Sequence, residues 1–161
     1  MIKEVTGDIL LSEAQAIGHG VAPNDNFASG LALDLREHWP SLYKDFRHYC
    51  QIHHPDAGEL WTWVNAEGVR IVNLMTQEAA YGNGTKPGKA SIEYVNRTLR
   101  ELKKFIEEEQ IQSLALPKLA TGVGGLNWEE VKPLIQNHLG ELNIPIFVYT
   151  LYQKGVKAEE I

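Results

Sequence analysis

The sequence predicts an α/β protein, a three-layer α/β/α sandwich around a mixed central sheet. Apolar runs of strand length alternate along the chain with segments of helical periodicity, the pattern of a layered domain with a largely buried sheet. Two strand patterns, residues 59–64 and 69–75, are joined by the short turn Asn65-Ala66-Glu67-Gly68, so part of the sheet is a hairpin. The stretch LALPKLATGVGGLNWEEVKPLIQNHL, residues 114–139, passes from an apolar run through a glycine loop into a helical pattern.

In order along the chain, residues 2–5 (IKEV) read as a short strand and residues 14–21 (AQAIGHGV) as a buried one. The loop PNDNFAS follows. Residues 30–38 and 41–51 read as helices split by Pro40. Their apolar faces are Leu31, Leu33, Leu35 and Trp39, then Leu42, Phe46 and Tyr49. After the strand pair ELWTWV and VRIVNLM comes the clearest helix, residues 91–109. Ser91 is its N-cap, and Ile92, Val95, Leu99, Leu102 and Ile106 share one face. Residues 112–117 form a strand, 127–139 the last helix and 144–151 (IPIFVYTL) the last strand. Residues 1–152 are expected to form a single domain. The remainder, 153–161, is a polar tail expected to be loose.

With 161 residues the chain is about one domain long and can bury a core without covalent staples. Its one cysteine, Cys50, cannot form an internal disulfide and favours a reducing compartment. The start MIKEV lacks a basic-then-apolar leader, and no apolar run approaches the roughly 20 residues of a membrane helix. The expected location is therefore cytoplasmic, without a membrane partner. A net charge of −6 argues against binding along a nucleic-acid backbone, which needs clustered Lys and Arg, so no long nucleic acid is expected as partner. It leaves room for one phosphorylated small ligand held by backbone amides.

Sheets of this kind bind ligands beyond the carboxyl ends of their strands, so loops 22–29, 76–90 and 118–126 matter most. In loop 118–126 glycines allow close backbone approach, the following helix start offers free amides, and Thr121 adds a hydroxyl. That is the chemistry of a phosphate cradle, or else only of a tight turn. It is not the dinucleotide fingerprint, because Asn127 stands where the third glycine belongs. Loop 76–90 carries a near miss to a nucleotide-triphosphatase P-loop, with Asn83 and Ala90 where glycine and a hydroxyl are needed. A lid over a ligand or a plain surface loop are the better readings. In loop 22–29, Asn24, Asp25, Asn26 and Ser29 follow His19 and precede Gly30, which opens a helix. They read as turn and cap residues or as a second ligand loop. Asp8, in VTGDIL, reads as a cap of a short turn or as an acceptor for an exocyclic amine. His53 and His54 lack partners at metal-ligand spacing, so no metal is assigned, and no cofactor.

Together VTGDIL, GHGVAPNDNFASGLALDL, PKLATGVGGLNWEEV and IFVYTL, in this order over about residues 2–152, resemble the macrodomain family, the α/β/α module that binds ADP-ribose. The resemblance is nearest the branch with the terminal ADP-ribose glycohydrolases, the DNA-de-ADP-ribosylating antitoxins and the small fungal ADP-ribose-1″-phosphate phosphatase. It implies that Asp8 accepts from the adenine amine, with Ile9 at the base edge and Tyr149 and Leu151 flanking the ring. It implies one loop of Ala28, Ser29, Gly30 and Leu31 around the diphosphate and distal ribose. Thr121, Gly122, Val123, Gly124 and Gly125 would form the phosphate loop.

The chain departs from the glycohydrolase branch at two places. Where that branch has a nucleophilic lysine the chain has Gln77, and the acid of the phosphate loop corresponds to Gly124. Lys86 and Lys89 are the lysines of the loop beyond. Near the expected distal ribose stand His19, Asn24, Asp25 and Gln77, a set suited to acid–base chemistry on water. His19 would protonate a leaving group or bind phosphate, and Asp25 would position or activate water. The expectation is a hydrolase acting at the distal ribose, on ADP-ribose-1″-phosphate or an ADP-ribosyl adduct. The expected partner is ADP-ribose, a derivative of it or an ADP-ribosylated macromolecule. The alternatives are a binding module without catalysis and, more remotely, a P-loop triphosphatase.

Overall fold

The strands form one six-stranded sheet in the order β1-β6-β5-β2-β4-β3, and only β3 runs antiparallel to its neighbour. This is the mixed sheet the hairpin predicts. The strands are β1 (Ile2–Gly7), β2 (Ala16–Val21), β3 (Leu60–Val64), β4 (Arg70–Met75), β5 (Leu114–Pro117) and β6 (Ile146–Tyr152). The helices are α1 (Gly30–His38), α2 (Pro40–His53), α3 (Ile92–Glu108) and α4 (Trp128–Leu139). The computed structural model describes residues 1–79 and 87–161. No helix among them is long and apolar enough to cross a membrane.

Strand alternation sorts the core into two layers. Ile17 and Val21 of β2 and Ile71 and Met75 of β4 face α1 and α2, where they meet Leu35, Leu42, Phe46 and Cys50. Ala16, Val72 and Leu74 face the other way, against Val95, Leu99, Leu102 and Ile106 of α3 and Val131, Ile135 and Leu139 of α4. The α3 stripe is the predicted one except at Ile92, which is only half-buried while Thr98 is buried, and the Ser91 hydroxyl caps the helix by accepting from the Tyr94 N–H at 3.1 Å. Pro40 does not merely divide α1 from α2. It opens α2 at its first position, where a missing N–H is harmless.

The last residues differ from expectation. Residues 153–161 are polar but docked rather than loose. The Val156 carbonyl accepts from the Asp8 N–H at 2.7 Å, Gly155 N–H donates to Asp8 Oδ2 at 2.9 Å, and Ala158 is buried. Glu160 accepts from the Ser12 hydroxyl, the Glu13 N–H and the Tyr149 hydroxyl. Gly7 lets the tail come this close: it has φ +148°, and a Cβ there would lie 2.8 Å from the Val156 oxygen. These bonds join the tail to residues far away in sequence, which composition does not reveal.

Candidate functional site

All five parallel strands, β1, β2, β4, β5 and β6, end at the same edge of the sheet, and the loops that leave them enclose a cleft there. Loop 22–29 is shaped from within. Asp25 accepts from Ala22 N–H and Phe27 N–H, each at 2.9 Å, and so closes the turn on itself. Phe27, fully buried at φ +51°, packs on Tyr43 and Phe46 and meets the His19 ring edge-on. With the loop so anchored, Ser29 sits at the N-cap of α1 without using its hydroxyl as a cap, and Gly30 takes φ +61°. Among the described residues the amides of Gly30, Leu31 and Ala32 in the first turn of α1 have no backbone partner, which leaves anion-compatible donors on the cleft wall.

Loop 118–126 forms the facing wall. Ala120 has φ +63° and its carbonyl accepts from Leu126 N–H at 3.0 Å, folding the glycines outward between them. The Gly124 carbonyl accepts from Ala90 N–H at 3.1 Å, which ties this loop to the base of loop 76–90. That base is a small ladder: Gln77 bridges Ala90, Gln77 Nε2 donates to the Gly88 carbonyl at 2.9 Å, and Glu78 and Gly88 exchange backbone bonds with Lys89 and Glu78. Asn83, Lys86 and most of the expected lid lie outside the described residues.

Two adjoining cavities result. The polar one is lined by His19, Gly20, Asp25, residues 29–32, Gln77, Pro87, residues 117–120 and residues 122–124. The apolar one is lined by Gly7, Ile9, Gly30, Leu31, Asp34, Pro117, Tyr149 and Tyr152. Gly30, Leu31 and Pro117 belong to both, so the cavities form one continuous cleft.

Most residues singled out in the sequence converge here: His19, Asp25, Ser29, Gly30, Leu31, Gln77, Gly122, Val123 and Gly124 at the polar end, Ile9 and Tyr149 at the apolar end. Asp8 stands directly behind Ile9, buried, with Oδ1 accepting from Leu10 N–H at 3.0 Å and Oδ2 from Gly155 N–H. It is thus the cap of a short 3₁₀ turn and the tether of the tail at once. Ala28 is exposed just outside the cavity wall, its N–H donating to Asn26 Oδ1.

Five of the residues stand otherwise than expected. Leu151 is 55% exposed and outside both cavities; Tyr152 takes its place. The pairing of β6 with β1 shifts register between Val5 and Thr6, skipping Thr150, and such a slip moves each later side chain to the other face. Thr121 turns its hydroxyl back to donate to the Lys118 carbonyl at 2.8 Å, and neither it nor Gly125 lines either of the two cavities among the described residues; Gly125, at φ +79°, is a turn residue. Asn24 is exposed at φ +59°, a turn position away from the cavity wall. His19 is not a ready proton donor: burial pushes its imidazole down to about 4, against a smaller opposing pull from Asn73.

The remaining polar groups are committed to structure. Burial raises the Asp25 carboxyl, and its two backbone bonds act the other way. Gln77 is buried with its amide nitrogen engaged. Residues missed in the sequence include Lys118, an exposed cation at the polar cavity, and Asn73, whose Oδ1 lies 2.6 Å from His19 Nε2. Asn73 had a visible signal, a carboxamide inside the apolar run VRIVNLM. Tyr152 had none, because the register shift is a property of the paired strands.

Comparison with known proteins follows the geometry. A family model described as the macro domain matches residues 75–135. The DNA ADP-ribosyl glycohydrolase of Thermus aquaticus is 29% identical over 92% of this chain and 41% of its own length. A DNA ADP-ribosyl transferase–glycohydrolase fusion protein of Thermosipho africanus is 27% identical over 94% of the chain and 42% of its own. The chain thus spans about two-fifths of these relatives. The solved macrodomain of Thermus aquaticus DarG superposes with a TM-score of 0.82 at 28% identity, covering 93% of this chain and 98% of that one. Thermosipho africanus DarTG, solved in complex with ADP-ribose, gives 0.80 at 24% identity over 97% of this chain and 42% of its own, a likeness of fold.

Proposed function

From the partial match to the macro domain and the likeness to the Thermus aquaticus macrodomain, we propose that the chain is a macrodomain that binds ADP-ribose along this cleft and hydrolyses the bond joining an ADP-ribosyl group, through its distal ribose, to a larger partner. The observation that carries the reading is the continuity of the two cavities through Gly30, Leu31 and Pro117. An apolar, aromatic end suits a base and a backbone-rich end suits a diphosphate and sugar, in the order in which ADP-ribose presents them.

The adenine would lie between Ile9 and the Tyr149–Tyr152 side. Each Asp8 oxygen accepts one backbone bond and keeps a lone pair for the exocyclic amine. The diphosphate would sit between the first turn of α1 and Gly122–Gly124, where amides and the helix dipole favour anions and Lys118 adds a charge. The distal ribose then meets His19, Asp25 and Gln77. With a carboxamide at 77 and glycine at 124, no covalent adduct to a lysine is part of this scheme. Water attacks the anomeric carbon as that carbon's bond to the partner breaks; the water releases a proton, the departing group takes one up from solvent, and Asp25 is the carboxylate at hand to orient the water.

The names of the relatives extend the reading to ADP-ribosylated DNA as the adduct. The acidic chain suits a modified nucleotide at an end or in a single strand better than a long duplex. A non-catalytic reader is the second reading, supported by the backbone bonds that occupy Gln77 and Asp25. Both are tested by incubating the protein with an ADP-ribosylated oligonucleotide and separating the products. Release of free ADP-ribose is expected. Tight binding of ADP-ribose with no release over hours would establish the reader, and no binding at all would end both readings.

A further inference from the structure

We propose that His19 recognises the distal ribose as a fixed hydrogen-bond acceptor, its Nδ1 accepting a hydrogen bond from the anomeric (1″) hydroxyl and disfavouring ligands that carry a phosphate on that oxygen. The inference rests on the ADP-ribose reading of the cleft and sets its ligand preference, free ADP-ribose over the 1″-phosphate.

Asn73 fixes the tautomer of the ring. Its Nδ2 donates to the Trp61 carbonyl at 3.1 Å and to the Ile71 carbonyl at 3.4 Å. An amide nitrogen only donates, so these two bonds fix which end of the carboxamide points to His19. The end that does is Oδ1, 2.6 Å from Nε2. An amide oxygen only accepts, so Nε2 carries the proton. Asn73 lies fully buried on β4 between β2 and β3, and turning over would set its oxygen against the two carbonyls that its Nδ2 now serves.

Burial keeps the ring neutral, so the second nitrogen, Nδ1, is a bare lone pair. It is buried and has no partner among the described residues. His19 itself lines the polar cavity beside Gln77 and Gly122. An unpaired buried acceptor is costly, and a ligand donor relieves that cost. A hydroxyl is such a donor, whereas a phosphate dianion presents only oxygens with lone pairs of their own. The same asparagine that orients the ring therefore sets the sign of the group it accepts.

The test uses the whole chain. Nitrogen-15 NMR of the imidazole gives the tautomer, and calorimetry compares ADP-ribose, ADP-ribose-1″-phosphate and ADP. The expected result is an Nε2-protonated ring and ADP-ribose bound at least about ten-fold more tightly than its 1″-phosphate. In Asn73→Asp a carboxylate would hold the ring as imidazolium, so Nδ1 becomes a donor. That ratio should narrow or reverse while ADP affinity stays within about two-fold. A purely structural role for Asn73 would weaken all three ligands alike. Nδ1 protonation in the wild type, equal affinity for the two riboses or phosphate release from the 1″-phosphate would each overturn the proposal without needing the variant. If none of the three ligands binds, the cleft reading falls and takes the ligand half with it, while the tautomer still reports whether the Asn73 lock exists.

Discussion

A methyl group at Gly124 would lie 2.7 Å from the Ala120 carbonyl oxygen and 2.8 Å from the Ala90 Cβ, so glycine here is a matter of space between two loops. Gly124→Ala is expected to cost about 1–3 kcal/mol, measured by urea unfolding, because both neighbours are held by backbone bonds and cannot give way. Grafting the acid of the glycohydrolase branch onto this position would meet the same obstacle. At this scale the order of strand and loop suffices to bring His19 and Gln77 to the wall of the polar cavity. It failed where a local bond decides. Thr121 and Asn24 have the chemistry of ligand residues but spend it on turn geometry, and His19 has a useful reference pKa that burial removes.

Among the elements, α4 carries Pro133 in its interior, an exposed position without an N–H to offer Glu129. Pro133→Ala should raise stability by about 1–2 kcal/mol in the same unfolding experiment, the recovered helix bond outweighing the extra freedom of the unfolded chain. The type of every strand and helix was legible because the two periodicities are clean, and α3 with its Ser91 cap was legible to within one residue at each end. The register shift in β6 and the docking of residues 153–161 were not. The first arises from backbone pairing and the second from backbone and side-chain bonds between segments far apart in sequence, which no local pattern encodes.

For the molecule as a whole, pH is the revealing variable. The His19 imidazole takes up its proton near 6.5 in the unfolded chain and near 4 in the folded one. Between these values the unfolded state binds more protons, so acidification favours it, and the stability present above pH 6.5 is progressively lost toward pH 4. The full loss is about 3 kcal/mol, and thermal unfolding across this range should show it strongly flattened in His19→Asn. Asp25 acts in the opposite sense from 3.8 upward, since the folded state holds its proton more firmly. At neutral pH, ADP-ribose at a hundred times its Kd should add about 2.7 kcal/mol and raise Tm by roughly 5–10 °C. An unchanged Tm would count against the cleft.

The tail bonds to Asp8 and Tyr149 from behind, and the proposed adenine would engage the same two residues from the front. Docking and ligation are then linked equilibria. By whatever factor the seated tail tightens the nucleotide, the nucleotide tightens the tail. Trypsin acting at the exposed Lys154 or Lys157 should cut more slowly when ADP-ribose is present. A partner that pulled residues 153–161 away would loosen the base before it touched the ribose, making the last nine residues a handle on affinity from outside the cleft.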